Sequence, residues 1–169
     1  MYKKVEYTEI NPIDKKDEIC KLLINCDVKY EIHDNPLDED YNYLEEGDLC
    51  ITVINPTSEY PLYIDLEDMG EFTLSYYGWH NHYMSEKWDY GAMMDDLKNI
   101  LNNMKCLINI YSGVRWLSSN LSPKAIGKDY DYRMDLNNLP TEFRKEITET
   151  KGRIELVYWD KSRNAVINL

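Results

Sequence analysis

Residues 49–83 read LCITVINPTSEYPLYIDLEDMGEFTLSYYGWHNHY, and this stretch decides the fold class. Leu49, Ile51 and Val53 alternate with Cys50, Thr52 and Ile54. Leu62, Ile64 and Leu66 alternate with Tyr63, Asp65 and Glu67. Phe72, Leu74 and Tyr76 alternate with Thr73, Ser75 and Tyr77. A period of two is the mark of a strand, because successive side chains point to opposite faces. The connections INPTSEYP and DMG carry turn residues, so the three strands form an antiparallel meander. The second and third strands have one apolar face and one polar or acidic face, as a half-buried sheet requires.

Outward from the meander, the pattern changes to a helical period. Asn11-Pro12 opens a helix, with Asn as cap, Pro in the first turn, and Asp14 and Asp17 near the positive end of the dipole. Ile19, Leu22, Leu23 and Cys26 then share one face. Val28 to His33 reads as a short strand. Asp89 is expected to cap a second helix with the apolar stripe Met93, Leu97, Ile100, Leu101 and Met104. Leu107 to Tyr111 and Arg115 to Ser119 read as strands about Gly113, and Pro123 and Gly127 mark irregular chain. Pro140 starts a third helix bearing Leu139, Phe143 and Ile147, with Gly152 beyond its end, and Ile154, Leu156 and Tyr158 alternate as a last strand. The expectation is a single α+β domain over residues 1–169, a mostly antiparallel sheet with a meander packed by about three helices.

The charge is unevenly placed. The formal net charge is −12, and from Tyr30 to Glu86 there are 14 acidic residues and no Lys or Arg, while the remainder is near +2. Such a field repels phosphates and anionic lipid, which argues against nucleic-acid and membrane partners, and it attracts a basic protein. The plain alternative is an acidic surface that keeps the protein in solution. Tyrosine reinforces the first reading. There are 15 Tyr against 2 Phe, and Tyr joins an apolar ring to a polar tip, which suits interfaces. The loop DEDYNYLEEGD combines both features. Asp38, Glu39, Asp40, Tyr41, Tyr43, Glu45 and Glu46 are therefore candidate partner contacts.

Cys20, Cys26, Cys50 and Cys106 form no C-x-x-C and no zinc spacing, so they are expected to be reduced thiols. The opening MYKKVEYTEI has no apolar run after its lysines, and the longest apolar runs are too short to span a membrane. The expected location is the cytoplasm.

GWHNHY places His80 and His82 two apart, between Trp79 and Tyr83. If the third meander strand ran on regularly, both histidines would share the face of Phe72, Leu74 and Tyr76, but Gly78 is expected to bend the strand before them. A metal site needs a third ligand, drawn from His33, Asp65, Glu67 or Glu86. No nucleophile elbow, zinc-protease helix or glycine-rich phosphate loop is present, so no catalytic residue, metal or cofactor is assigned. A structural reading has Trp79 and Tyr83 anchoring the sheet end against the second helix. A binding reading makes Trp79, His80, His82, Tyr83 and Trp88 contacts at a partner-facing rim.

GEFTLSYYGWHNHY, followed by an acidic linker and DYGAMMDDLKNIL, resembles small bacterial immunity proteins of polymorphic or contact-dependent toxin systems. The similarity covers about residues 71–101. It implies a non-enzymatic binding protein that neutralises a basic partner, such as a cognate toxin domain, by occlusion. The competing expectation is a small metal-dependent enzyme using His80 and His82, and metal analysis of the purified protein separates the two.

Overall fold

The computed structural model describes residues 9–34, 39–123, 131 and 133–169. The fold is α+β, with four helices and two antiparallel sheets of five and four strands. The chain divides into two compact units, residues 1–98 and 99–169, and the boundary falls inside a helix. Among the described residues no helix is long and apolar enough to cross a membrane.

In the first unit, Asn11 accepts a hydrogen bond from the Ile13 N–H and starts a short 3-10 turn, Pro12–Lys15. The helix α1 (Lys16–Asn25) follows and buries Ile19, Cys20 and Leu23. Five strands then form a sheet in chain order: β1 (Lys29–His33), β2 (Leu49–Ile54), β3 (Leu62–Leu66), β4 (Phe72–Tyr76) and β5 (Trp79–Tyr83). The register pairs Ile51 with Ile64 and Ile64 with Leu74, so the apolar positions of β2, β3 and β4 lie on one face. Ile51, Val53, Leu62, Ile64, Leu66, Phe72 and Leu74 are fully buried there. The helix α2 (Lys87–Leu101) covers this inner face: the Tyr90 ring lies 5.1 Å from that of Phe72, and Tyr83 Oη donates to Asp96 Oδ2 at 2.7 Å. Asp89 is not the cap of α2. It stands in the first turn and accepts from the Met84 N–H at 2.5 Å.

GWHNHY does not continue the third meander strand. Tyr77 and Gly78 both have positive φ, 49° and 80°. Two such residues between paired Tyr76 and Trp79 make the tight turn that matches strand twist, and the chain reverses into β5. The register sets His82 opposite Thr73 and His80 opposite Ser75. The histidines therefore lie on the outer, polar face, and Trp79 and Tyr83 on the inner face, the reverse of regular continuation.

The second unit is built on its own sheet, with strand order β7-β6-β8-β9. The strands are β6 (Leu107–Ser112), β7 (Arg115–Leu121), β8 (Arg153–Val157) and β9 (Ala165–Asn168). Two helices, α3 (Arg133–Asn137) and α4 (Thr141–Thr150), precede β8. Ile108, Ile110, Ile154 and Leu156 of the sheet form a core with Leu139 and Ile147, and Phe143 packs against it. The left-handed residue that ends α4 is Lys151, with φ 55°. Gly152 is needed for a different reason: a Cβ there would stand 2.6 Å from the Tyr111 carbonyl oxygen and 2.7 Å from Ile147 Cγ2. The expected irregular chain at Pro123 is observed as a bend, and Gly127 lies outside the described residues.

Candidate functional site

The outer face of the five-stranded sheet carries Tyr63 and Asp65 of β3, Thr73 and Ser75 of β4, and His80 and His82 of β5, because each pair is directly opposed in register. The loop before β2 folds over this face and is held by its tyrosines. Tyr41 Oη and Thr52 Oγ1 are 2.8 Å apart, and Tyr43 Oη donates to Asp65 Oδ1 at 2.8 Å. Tyr41 also stacks on His33, with ring centroids 3.7 Å apart and planes 13° from parallel. Between loop and sheet lies a cleft of about 520 Å³ lined by Asp40, Tyr41, Tyr43, Tyr63, Asp65 and Ser75. A second hollow of about 350 Å³ adjoins it at Tyr63 and is lined also by Tyr60, Pro61, Tyr77 and Gly78. The Tyr60 and Tyr77 rings meet edge-on at 4.6 Å.

The cleft is negative and its phenols are neutral. Burial of the hydroxyl, then Cys50 and Asp65 beside it, hold the Tyr43 phenol well above its usual range. Burial also raises Tyr41 and Tyr63, the latter further through Cys50, Asp40 and Asp65. Cys50, beneath the loop, is pushed up to about 12 by burial and by the Asp65 charge. The three phenols therefore keep their hydroxyl protons, Tyr43 donating its own to Asp65, while Asp40 and Asp65 supply the charge and the Cys50 thiol is an inert packing group.

The acidic residues in and beside the loop before β2 play different parts. Asp48 accepts from the N–H groups of Glu45 and Asp68, and Asp68 accepts from Asn11 Nδ2 at 2.8 Å. These carboxylates tie the turns together. Gly47, with φ 100°, lies against Asp68, where a Cβ would come within 3.1 Å. Glu39, Asp40, Glu45 and Glu46 are exposed on the loop. Tyr41 and Tyr43, named with them from sequence, line the cleft. Asp38 lies outside the described residues.

The rim residues of GWHNHY are not brought together. His80 and His82 are exposed, their rings edge-on at 5.3 Å. His82 Nδ1 pairs with Glu71 Oε1 at 2.5 Å and lies 3.1 Å from Thr73 Oγ1. Trp79 and Tyr83 are 8% and 2% exposed on the opposite face, so they pack the sheet and are not surface contacts. Alternation along β5 makes the two sets mutually exclusive on any one face. Trp88 is 68% exposed in the first turn of α2, and its indole N–H donates to Glu86. Among the described residues no group of three His, Cys, Asp or Glu is arranged to hold a metal ion.

Sequence reasoning did not single out Tyr63, Asp65 and Ser75 as the floor of one cleft. Their common outward parity was the available signal, and the cross-strand register completes it. No protein-family model, curated protein or solved structure matches the chain.

Proposed function

We propose that this protein binds and blocks a basic protein partner through the outer face of its five-stranded sheet. The observation that carries the reading is the pair of adjoining, tyrosine-lined hollows on that face, with Asp40 and Asp65 in the larger one. Exposed Glu39, Glu45 and Glu46 surround the loop that walls it, and they would steer a basic surface to the face. Tyrosine rings then supply contact area at low conformational cost. The action is occlusion, which asks no bond-making of the protein. The resemblance of residues 71–101 to immunity proteins favours a toxin domain as the partner, met in the cytosol. Against a nuclease, the carboxylates would stand where phosphates bind.

A photo-crosslinking phenylalanine analogue at Tyr60, on the rim of the smaller hollow, tests this in the producing cells. The control position is Ile24, which is 64% exposed on α1. The expected result is an adduct with a protein of net positive charge from position 60 and not from position 24. Absence of any adduct at 60, the same adducts from both positions, or an acidic captured protein would overturn the proposal.

A further inference from the structure

The cleft has a chemistry more specific than a negative surface. We infer that it takes one guanidinium group, supplied as an arginine side chain of the partner. This rests on the partner reading above for the source of the group, but not for the site.

The floor is made by Tyr63, Asp65 and Ser75 on two paired strands, and the wall by Asp40, Tyr41 and Tyr43 on the loop. Two hydroxyl bonds from the wall, to Thr52 and to Asp65, pin it to the sheet, so the cleft is formed before a ligand arrives. Pre-formed sites avoid the ordering cost of binding. Every described lining side chain ends in oxygen, and none of them is cationic. An anion would meet Asp40 and Asp65, and an apolar group would strand the hydroxyls. A cation fits both. Tyr41 stacks one face on His33, and Tyr43 and Tyr63 add two further rings to the lining that can receive a planar ion. A guanidinium stacks on such faces and forks its N–H groups to carboxylates, whereas an ammonium is a compact point charge without the planar match. Asp65 Oδ1 receives Tyr43 Oη, but an ionised carboxylate has about four acceptor sites, so it can serve phenol and guanidinium together. A volume of about 520 Å³ admits the head group and its methylene stem.

The test is an NMR titration of the full chain with ethylguanidinium, using propylammonium at equal ionic strength as control. Saturable binding is expected with Kd of about 1 mM, a modest affinity fitting one small group. Propylammonium should bind about tenfold more weakly. Asp65→Asn keeps an oxygen for Tyr43 but loses the charge, and it should weaken ethylguanidinium about tenfold, the worth of a charge-assisted hydrogen bond. Ser75→Phe should abolish binding by filling the cleft, and a thermal melt confirms that each variant is folded. The Glu39→Gln, Glu45→Gln, Glu46→Gln variant should bind the small cation within about twofold of wild type, because exposed charges are well screened. N-acetyl-arginine-N-methylamide should bind at least as tightly as free arginine. Unsaturable binding, equal affinity for propylammonium, or no loss in folded Asp65→Asn would overturn the guanidinium site while leaving the photo-crosslink at position 60 to judge the partner reading. A tenfold preference for free arginine would overturn the partner side chain as the source. An ethylguanidinium site with no crosslinked partner would keep the cleft and remove the proposed function.

Discussion

Replacing residues one at a time along β5 tests the alternation on which the site rests. Tyr83 is 2% exposed on the inner face, and its hydroxyl donates to Asp96 Oδ2 at 2.7 Å. Tyr83→Phe keeps the ring and removes that bond. A hydrogen bond to a charged group contributes about 1.5–3 kcal/mol. Asp96 retains a further interaction, so the low end, about 1.5 kcal/mol, is expected. Tyr83→Ala also empties the ring's place against the core, for a total of about 3–5 kcal/mol. His80 and His82 are exposed on the other face, and the His82–Glu71 pair is solvent-accessible on both sides. His82→Ala should therefore cost no more than about 1 kcal/mol. Urea unfolding followed by tryptophan fluorescence measures the losses, and hydrogen exchange of the β5 amides localises them. A Tyr83→Ala cost below about 1 kcal/mol, or a His80→Ala cost equal to it, would refute the assignment, because a one-residue slip exchanges every side chain between faces.

Three further outcomes follow from particular groups. Burial raises the Cys50 and Cys106 thiols from 9.0 to about 12 and about 11. The unfolded chain thus loses these protons first; stability should be full below pH 9 and fall as pH rises towards 11 and 12, by at most about 1.4 kcal/mol per pH unit for each thiol. Replacing both by Ala should flatten the fall between pH 9 and 10, and an unchanged slope would contradict the assignment. Gly152→Ala should destabilise by about 1–3 kcal/mol through the clash with Tyr111 and Ile147. Gly91→Ala, in α2 with open space at its Cβ, should stabilise by about 0.5–1 kcal/mol, and equal effects in urea would refute the distinction. None of the four cysteines is in a disulfide. Maleimide should label partly exposed Cys26 in the native protein and the buried Cys20, Cys50 and Cys106 only on unfolding; a disulfide in the intact mass would contradict this.

The meander was legible because β2, β3 and β4 alternate over whole strands, and because a single buried face forces one register. Gly78 marked a bend in the strand, but the full reversal there left no further mark, since Tyr77 is a non-glycine residue with positive φ whose neighbours keep alternating. That one residue moved His80 and His82 to the outer face and buried Trp79 and Tyr83. The strands of the second sheet were mostly readable one by one, but sheet membership depends on distant pairing, as of Ile110 with Ile154. β9 escaped notice because its four residues are largely exposed and show no apolar alternation. The acidic third was plain in the composition. What composition does not convey is that Asp48 and Asp68 brace turns while Glu39, Glu45 and Glu46 remain exposed, since hydrogen-bond partners are set by the fold.

The central claim, that the acidic outer face brings in a basic partner, is tested most directly by the association rate with the protein captured at position 60. Stopped-flow measurement at about 0.1 M and about 1 M salt brackets Debye lengths of about 10 and 3 Å. The wild-type rate should fall steeply across that range, and the Glu39→Gln, Glu45→Gln, Glu46→Gln variant should associate more slowly at low salt while dissociating nearly as wild type does. A variant that associates at the wild-type rate in low salt would contradict the account.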